Sequence, residues 1–249
     1  MKHPHISVVI PCYKEAEVIE RNILSVHGFL SSRFERFEIV VVTDGSPDGT
    51  AEVIERMILD RPELGLVHIR FDANRGKGAA VRAGILGSRY DPVLFADADL
   101  TIPIGELDEF MSAISQSDLA IASRLAPGSR FEEPAPWYRV LMARGFHLLQ
   151  ILILGNFEFS DTQCGFKLLR RNAALDLFRD LTVDRFAFDA ELLFLAKRRD
   201  YRVAILPVTV KRDPRNTNVR IVRDPLEMLF SLLRIRWNSL TGKYDRSAN

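Results

Sequence analysis

Short, uninterrupted runs of apolar residues alternate with amphipathic stretches through the first half of the chain, and this alternation constrains the fold more than any other feature. Strands that are apolar throughout are buried on both faces, and helices between them are the connections of a parallel sheet. We therefore predict an α/β fold with a mostly parallel central sheet flanked by helices. The predicted strands are 6–10, 37–42, 66–70, 92–96 and 119–122, and the predicted helices are 15–30, 51–59, 78–88 and 107–115.

The second half is less regular. Its spacing predicts helices at 137–154, 186–197 and 225–240 and a strand at 202–210. The 249 residues contain no internal repeat, low-complexity segment or clear linker. Because a chain of this length is long enough for one large domain, a single domain is the simplest prediction.

The charges nearly balance, with 34 Lys and Arg against 33 Asp and Glu, and the net charge is +1. A nucleic-acid-binding protein that relies on bulk positive charge is thereby disfavoured. Cys12 and Cys164 form neither a disulfide framework nor a metal-ligand pattern, so a reducing, cytoplasmic compartment is expected. Residues 1–5 lack the apolar core of a signal peptide, and no window reaches the ~20 apolar residues of a bilayer span.

The functional residues of such a sheet are expected where its strands end. Ligands of open α/β sheets bind beyond the carboxyl ends of the strands. In this chain those positions are dense in polar and charged groups, which makes them the candidate site. They are residues 11–15, 44–46, 74–77, 97–99 and 123–124.

Asp97 and Asp99, separated by Ala98, follow the predicted strand at 92–96. Two carboxylates at the end of a buried strand can share a divalent cation, and hard oxygen ligands suit Mg²⁺ or Mn²⁺ together with a substrate diphosphate. The alternative is a turn whose carboxylates cap the following helix. The Asp-x-Asp motif alone does not separate these two interpretations.

A glycine-rich loop, Asn74-Arg75-Gly76-Lys77-Gly78, precedes a helix of small residues. Glycines let backbone N–H groups approach a phosphate closely, and Lys77 adds a positive charge. The spacing is not that of a Walker loop, and no strand leads into a G-x-G-x-x-G, which argues against a dinucleotide dehydrogenase. The alternative is a plain glycine turn before a helix.

Acidic residues also follow the first two predicted strands. Glu15 follows the first, and Asp44 follows the second, where Ser46 or Asp48 is a candidate N-cap for the next helix. A carboxylate in this crevice can accept a hydrogen bond from a nucleobase N–H. Asp and Gly are common in ordinary turns, and each of these residues taken alone is better explained by turn structure than by nucleobase binding.

The second half adds the polar segment Asp161-Thr162-Gln163-Cys164-Gly165-Phe166-Lys167 and two acids among aromatic residues, Asp189 and Glu191. Acids in such surroundings are either functional or paired with a nearby base such as Arg185 or Lys197. Arginines cluster near the start of the long apolar helix and suit phosphate, although a solvated face explains them as well. They are Arg124, Arg130, Arg139 and Arg144.

The helices at 137–154 and 225–240 have wide apolar faces. Core packing explains such faces. The alternative is shallow insertion at a membrane interface, with Trp137, Tyr138 and Trp237 at headgroup depth. Anionic lipid would then be favoured by Arg234, Arg236, Lys243 and Arg246.

The order of these motifs resembles the family 2 glycosyltransferases. The resemblance lies in residues 7–15, in Asp44-Gly45-Ser46, in the loop 74–78 and in Asp97-Ala98-Asp99. Residues 123–124, 161–167 and 186–193 look like the dolichyl-phosphate β-glucosyltransferase branch, to which enzymes that make polyprenyl-phosphate mannose are close. The resemblance covers about residues 6–240 and implies a nucleotide-diphospho-sugar transferase (GT-A) fold with amphipathic interfacial helices.

The resemblance also implies roles. It divides the single domain into a nucleotide-sugar-binding half, about 1–124, and an acceptor and membrane-facing half, about 125–249. Asp97 and Asp99 would bind Mg²⁺ or Mn²⁺, and Arg124 and Arg139 would hold the phosphate of a lipid acceptor. Asp161 would act on the acceptor or orient the sugar, and the implied catalytic residues are Asp99, Asp161 and Lys77. The nucleotide-sugar donor would be held by Pro11, Tyr13, Glu15, Asp44, Gly45, Lys77, Asp97 and Ala98.

The implied reaction is inverting transfer of a sugar, above all glucose from UDP-glucose, onto a polyprenyl or dolichyl phosphate. The enzyme would be bound peripherally at the cytoplasmic membrane surface. The alternatives are a GDP-mannose or UDP-N-acetylglucosamine donor, an acceptor without a phosphate, and a catalytically silent nucleotide-sugar-binding protein. Two positions depart from the family pattern: Thr43 stands where Asp is common, and Leu100-Thr101 where mannosyl relatives often carry Leu-Gln.

Overall fold

The computed structural model describes residues 3–133, 137–155, 158–211 and 223–245, without the side chains of 137–139 and 223–225. The strands in these ranges are β1 (His3–Cys12), β2 (Phe34–Asp44), β3 (Leu66–Phe71), β4 (Val93–Ala96), β5 (Leu119–Ser123), β6 (Arg130–Phe131), β7 (Phe166–Leu169), β8 (Val203–Pro207) and β9 (Thr209–Val210). The α-helices are α1 (Ile19–Arg33), α2 (Thr50–Asp60), α3 (Lys77–Gly87), α4 (Leu107–Ala113), α5 (Trp137–Leu154), α6 (Arg171–Asp180), α7 (Phe188–Arg198) and α8 (Arg223–Leu240).

Seven of these strands form one sheet, in the order β3-β2-β1-β4-β7-β5-β8. The pairs β1–β2, β1–β4, β2–β3 and β5–β8 are parallel. Strand β7 lies between β4 and β5 and is antiparallel to both, with Lys167 opposite Phe95 on one side and Ile121 on the other. The predicted α/β fold with a mostly parallel sheet is therefore confirmed.

Two apolar layers cover the faces of the sheet. Val40 and Val42 of β2 pack into the layer that α3, α6 and α7 build, whereas Ile39 and Val41 pack into the layer that α1, α2 and α4 build. Because successive side chains of a strand point to opposite faces, a strand buried on both faces is apolar throughout. This explains why the apolar runs of the first half predicted strands correctly.

The second half departs from the prediction in four places. Strands β6 and β7 and helix α6 were not predicted. The strand predicted at 202–210 is divided into β8 and β9, because Val208 exchanges hydrogen bonds with Ser129 and Arg130 and leads β9 to pair with β6 instead of continuing the main sheet.

Helices α5 and α8 pack against each other at the edge of the first apolar layer and turn apolar side chains outward. On α8, Leu232 and Ile235 are buried, while the residues of the opposite face are exposed. Among the helices in the described ranges, we find none whose length and apolar content would let it cross a membrane. The large exposed side chains of the pair are Val140, Leu141, Leu148 and Leu152 on α5, and Leu226, Phe230, Leu233, Trp237 and Leu240 on α8.

Candidate active site

Asp97 and Lys77 meet where β4 ends. The Asp97 N–H donates to the Gly165 carbonyl oxygen at 3.0 Å, and the Asp97 Oδ1 lies 2.7 Å from the Lys77 Nζ. A Cβ built on Gly165 would lie 2.0 Å from the Asp97 Oδ2, so this position has no room for a side chain. Burial would lower the pKa of Lys77, but the negative charges of Asp97 and Asp189 outweigh it and raise that pKa. Lys77 is therefore a fixed cation at the end of the strand.

Asp99 lies beside this pair and is held by the turn that follows. Its Oδ1 accepts the Thr101 N–H at 3.0 Å, and Leu100 between them has a φ of 50°, a left-handed conformation that is uncommon for a bulky residue. Burial and the negative charge of Asp97 raise the pKa of the Asp99 carboxyl. A cation beside Asp99 would offset the negative charge of Asp97 that opposes its ionisation.

The donor set fits a divalent cation shared with a substrate. No cluster of three or more His, Cys, Asp or Glu side chains with metal-binding geometry occurs within the described residues. The candidate protein ligands for a cation at the end of β4 are therefore the two carboxylates of Asp97 and Asp99. One or two carboxylates plus substrate phosphates are the ligands that Mg²⁺ commonly uses. The pair therefore suits Mg²⁺ or Mn²⁺ held together with a diphosphate.

Arg124 and Asp161 form a forked ion pair after β5. The Asp161 carboxylate accepts from Arg124 Nε at 2.8 Å, from Nη2 at 2.9 Å and from the Arg124 backbone N–H at 2.9 Å. Burial would raise the pKa of Asp161, but the hydrogen bonds and charge of Arg124 hold it below its usual value. Asp161 is buried, whereas the Arg124 side chain is 39% exposed, so the guanidinium is the member of the pair that a ligand can reach.

Asp44, at the end of β2, is a buried anchor for the loop that carries Lys77. Its carboxylate accepts the Arg75 N–H at 2.7 Å, the Gly76 N–H at 2.8 Å and the Asn74 side-chain amide at 2.9 Å. Gly45 has a φ of 62°, and a Cβ there would lie 2.4 Å from the Ala73 carbonyl carbon. The nucleotide contact that the family resemblance implies for Asp44 and Gly45 stays a prediction, whereas their contacts with residues 73–76 show that both fix the glycine-rich loop.

The segment after β1 is tied to the segment after β2. The Lys14 N–H donates to Ser46 Oγ at 3.1 Å, and the Glu15 N–H donates to Thr50 Oγ1 at 3.0 Å. The N-cap of α2 is Gly49, in place of the predicted Ser46 or Asp48, while the Asp48 carboxylate accepts the Thr50 N–H at 3.2 Å. The Val18 and Ile19 N–H groups both donate to the Glu15 carbonyl oxygen in a turn, so α1 begins at Ile19 and later than predicted. Pro11 is buried, and Tyr13 and Glu15 are half-buried.

Lys167 and Asp189 form a third ion pair, which the sequence analysis did not predict. Lys167 is fully buried, and its Nζ lies 2.5 Å from Asp189 Oδ1 and 2.6 Å from the Cys164 carbonyl oxygen. Burial raises the pKa of Asp189 although Lys167 opposes the rise. The pair becomes predictable only once β7 is known to be a buried strand, because a buried charge requires a partner.

Several further predicted residues are placed as follows. Ala98 is buried, and its carbonyl oxygen accepts from the Asn22 side-chain amide at 2.7 Å. Glu191 accepts from neighbours other than the bases proposed for it, while Arg185 approaches Glu227 at 3.8 Å. The backbone of Arg139 lies in α5, but its side chain, like those of Trp137 and Tyr138 and like Arg246, lies outside the described residues.

Comparison with known proteins gives a consistent result. The family model described as glycosyl transferase family 2 matches residues 7–178. A dolichyl-phosphate beta-glucosyltransferase of Trichomonas vaginalis is 36% identical over 216 residues, which is 82% of this chain and 63% of that relative. The chain thus spans less than two thirds of that relative's length. A dolichyl-phosphate beta-glucosyltransferase of Saccharomyces cerevisiae is 33% identical over 96% of this chain and 76% of its own length.

Solved structures share the fold at lower identity. Mannosyl-3-phosphoglycerate synthase from Rubrobacter xylanophilus superposes with a TM-score of 0.67 at 19% identity, over 99% of this chain and 77% of that one. Glucosyl-3-phosphoglycerate synthase from Mycobacterium tuberculosis, in complex with Mn²⁺, UDP and glucosyl-3-phosphoglycerate, gives 0.63 at 20% identity, over 99% and 82%. The predicted GT-A fold is confirmed.

Proposed function

The chain belongs to glycosyl transferase family 2, and on that premise we propose that it transfers glucose from UDP-glucose to a polyprenyl or dolichyl phosphate with inversion at the anomeric carbon. Relatives named dolichyl-phosphate beta-glucosyltransferases at 30–36% identity support this donor and acceptor. The solved neighbour bound to Mn²⁺ and UDP supports a divalent cation and a uridine nucleotide.

The donor would lie across the ends of β1, β2 and β4. In this proposal Pro11, Tyr13 and Glu15 border the nucleoside, and Lys77 faces the diphosphate. A cation held by Asp97 and Asp99 would supply Lewis-acid stabilisation of the departing diphosphate. Lys77, whose charge the surrounding acids maintain, would add electrostatic stabilisation where negative charge develops.

The pairing of Arg124 with Asp161 is the observation that favours a phosphate acceptor. A hydroxyl acceptor needs a general base whose pKa lies near the working pH, and Arg124 moves the pKa of Asp161 in the opposite direction. A phosphate acceptor is already ionised and needs no such base. We assign Asp161 the role of orienting Arg124 towards the acceptor phosphate, with Arg139 as a second cation.

The reaction then balances without a proton transfer in the enzyme. An ionised oxygen of the acceptor phosphate forms a bond to the anomeric carbon from the face opposite the nucleotide. The bond from that carbon to the donor diphosphate breaks, and its electron pair leaves with the nucleoside diphosphate. Arg124 offsets the repulsion between the two anionic substrates.

We place this reaction at a membrane surface. The outward faces of α5 and α8 carry large apolar side chains at helical spacing, among them Leu152 at 73% and Phe230 at 69% exposure. Such faces with flanking cations suit shallow insertion at an anionic interface, and Arg144, Arg234 and Arg236 are exposed on the same helices. The buried free thiols of Cys12 and Cys164 suit a reducing compartment, so we propose the cytoplasmic face.

A radiolabelled transfer assay tests the proposal. UDP-glucose, GDP-mannose and UDP-N-acetylglucosamine would each be offered with Mg²⁺ or Mn²⁺ and a short polyprenyl phosphate in detergent. We expect metal-dependent label in the organic phase with UDP-glucose. Label from another sugar nucleotide would correct the donor, and donor consumption without organic-phase label would overturn the lipid-phosphate acceptor.

A further inference from the structure

The glycine-rich loop rests directly on the backbone that precedes α7. A Cβ built on Gly76 would lie 2.4 Å from the Asp184 carbonyl oxygen, and one on Gly78 would lie 2.7 Å from the Val183 carbonyl oxygen. The Ala79 N–H donates to the same Asp184 oxygen at 3.0 Å. The contact has no spare room, so a displacement of residues 183–184 must displace the loop that carries Lys77.

Glu191 holds this supporting segment in place. Its Oε2 accepts the Thr182 N–H at 2.9 Å and the Val183 N–H at 2.8 Å, and its Oε1 accepts the Thr182 hydroxyl at 2.7 Å. Glu191 is fully buried on α7, where each hydrogen bond to a carboxylate is stronger than one between neutral groups. The reaction proposed above does not use this side chain.

The same carboxylate is bonded to the turn that follows α8. The Tyr244 hydroxyl donates to Glu191 Oε1 at 2.5 Å, and the Asn238 side-chain amide donates to the Thr182 hydroxyl at 3.1 Å. Asn238 and Tyr244 are both buried, whereas Trp237, one position along the helix, is 67% exposed on the outward apolar face. The C-terminal end of α8 therefore presents Trp237 on the exposed face and, through Asn238, contacts the segment 182–184 that supports the Lys77 loop.

We infer that Glu191 is a positioning residue for the Lys77 loop and that, through Tyr244 and Asn238, it couples the seating of α8 to the donor end of the site. This inference rests on the proposed function for the identity of the donor. It follows that contact of α8 with a membrane surface strengthens donor binding. A helix that the membrane holds in one position fixes Tyr244 and Asn238 and hence residues 182–184. Coupling carried by such networks typically changes affinity by roughly 2- to 30-fold.

Hydrogen exchange tests the coupling without any substrate. Tyr244→Phe removes one hydroxyl and leaves the ring that packs near Phe194. We expect amide exchange of residues 76–81 to rise about 10-fold in this variant, with β1 and β2 unchanged. Tyr90→Phe is the matched control, because it removes the same group at the opposite end of the sheet. Exchange that rises throughout the sheet, or that rises at 182–184 and not at 76–81, overturns the inference.

The kinetic constants distinguish a positioning role from a purely structural one, because only a positioning role changes the KM for the donor selectively. In Tyr244→Phe and in Glu191→Gln we expect the KM for UDP-glucose to rise about 10-fold, with kcat and the KM for polyprenyl phosphate within about 3-fold of wild type. Vesicles of phosphatidylcholine and phosphatidylglycerol should lower the donor KM of the wild type and not that of Tyr244→Phe. A wild-type donor KM that is indifferent to bound vesicles overturns the coupling, whereas the absence of transfer from UDP-glucose contradicts the proposed function and leaves the exchange experiment decisive.

Discussion

Asp99 is the residue on which the proposed chemistry depends most directly. Asp99→Asn keeps the size of the side chain and removes the charge that would hold the cation. We expect turnover to fall by about 100-fold or more, as when a main electrostatic group of an active site is lost. The measurement is the rate of sugar transfer at saturating Mg²⁺.

The control for this change is Asp108→Asn, which alters an exposed acid paired with Arg33 far from the site. Its rate should equal that of the wild type. A rate for Asp99→Asn within a few-fold of wild type would mean that the charge of Asp99 has no part in catalysis.

Gly165 offers a test of how closely Asp97 is positioned. A methyl group at Gly165 would overlap both carboxylate oxygens of Asp97. Displacing a catalytic group by about 1 Å costs on the order of 100-fold in rate, so Gly165→Ala should lose activity by about that factor and require more metal for half-maximal rate.

Gly28→Ala is the matched control, since nothing lies within 4 Å of the added carbon in α1. It should leave activity unchanged and stabilise the helix by about 1 kcal/mol. Similar activities of the two alanine variants would show that Asp97 tolerates movement.

His68 makes stability depend on pH. Burial lowers the pKa of His68 below its ordinary value of 6.5, with Glu55 opposing the change, and its Nε2 lies 2.8 Å from the Thr43 hydroxyl. The unfolded chain therefore binds a proton near pH 6.5 while the folded chain does not. The stabilisation is complete above pH 6.5 and is lost as the pH falls towards the lower pKa of the folded state.

We expect the urea midpoint of the wild type to fall more between pH 7.5 and pH 5.5 than that of His68→Gln, which removes the titration. Parallel pH profiles for the two proteins would contradict a depressed pKa at His68.

At the scale of single elements, α8 carries the clearest prediction. Phe230→Ser together with Trp237→Ser removes two large apolar side chains from its exposed face. Because insertion of each would contribute on the order of 1 kcal/mol or more, vesicle binding should weaken by at least about 10-fold in a co-sedimentation assay. Leu59→Ser is the control, since Leu59 is equally exposed on α2 and outside this face; equal weakening by both changes would locate membrane contact elsewhere.

The elements also show what the sequence could and could not predict. Strands β1, β2 and β4 contain the apolar runs 8–10, 39–42 and 93–96, and the acidic residues that follow these runs could be recognised as candidate site residues from that alone. Strand β7 is four residues long and carries Lys167 at its centre, so no local pattern identifies it as a central strand. Its position depends on Asp189, which is distant in sequence and supplies the charge that makes a buried lysine tolerable.

The candidate site, too, could be predicted from the sequence only in part. Asp97, Asp99 and Lys77 could be predicted as a group because the ends of parallel strands meet at one edge of the sheet. The forked bond between Arg124 and Asp161 could not, because it depends on the path of the chain between β5 and β7. The family resemblance named both residues, but only the structure shows that the Arg124 guanidinium donates two hydrogen bonds to the Asp161 carboxylate.

For the complete fold, the strand order predicts that the two halves of the chain cannot fold separately. Residues 1–124 contain β4 and β5, which are not adjacent in the sheet, since β7 separates them. A fragment of residues 1–124 would expose unpaired strand edges on both, and such edges promote aggregation. We expect this fragment to be insoluble or to lack a cooperative thermal transition. A soluble fragment with a sharp transition would show that the first half folds independently.

The insertion of β7 between β4 and β5 has a consequence for how the protein is made. A ribosome delivers β4 and β5 well before residues 166–169, at about 5–20 residues per second. Until those residues emerge, β4 is paired on one side only, with β1, and β5 has no strand to pair with. Chaperones that bind emerging apolar strands have their longest opportunity in that interval, and a synonymous-codon pause after residue 169 would favour correct folding whereas one before residue 166 would prolong the exposure.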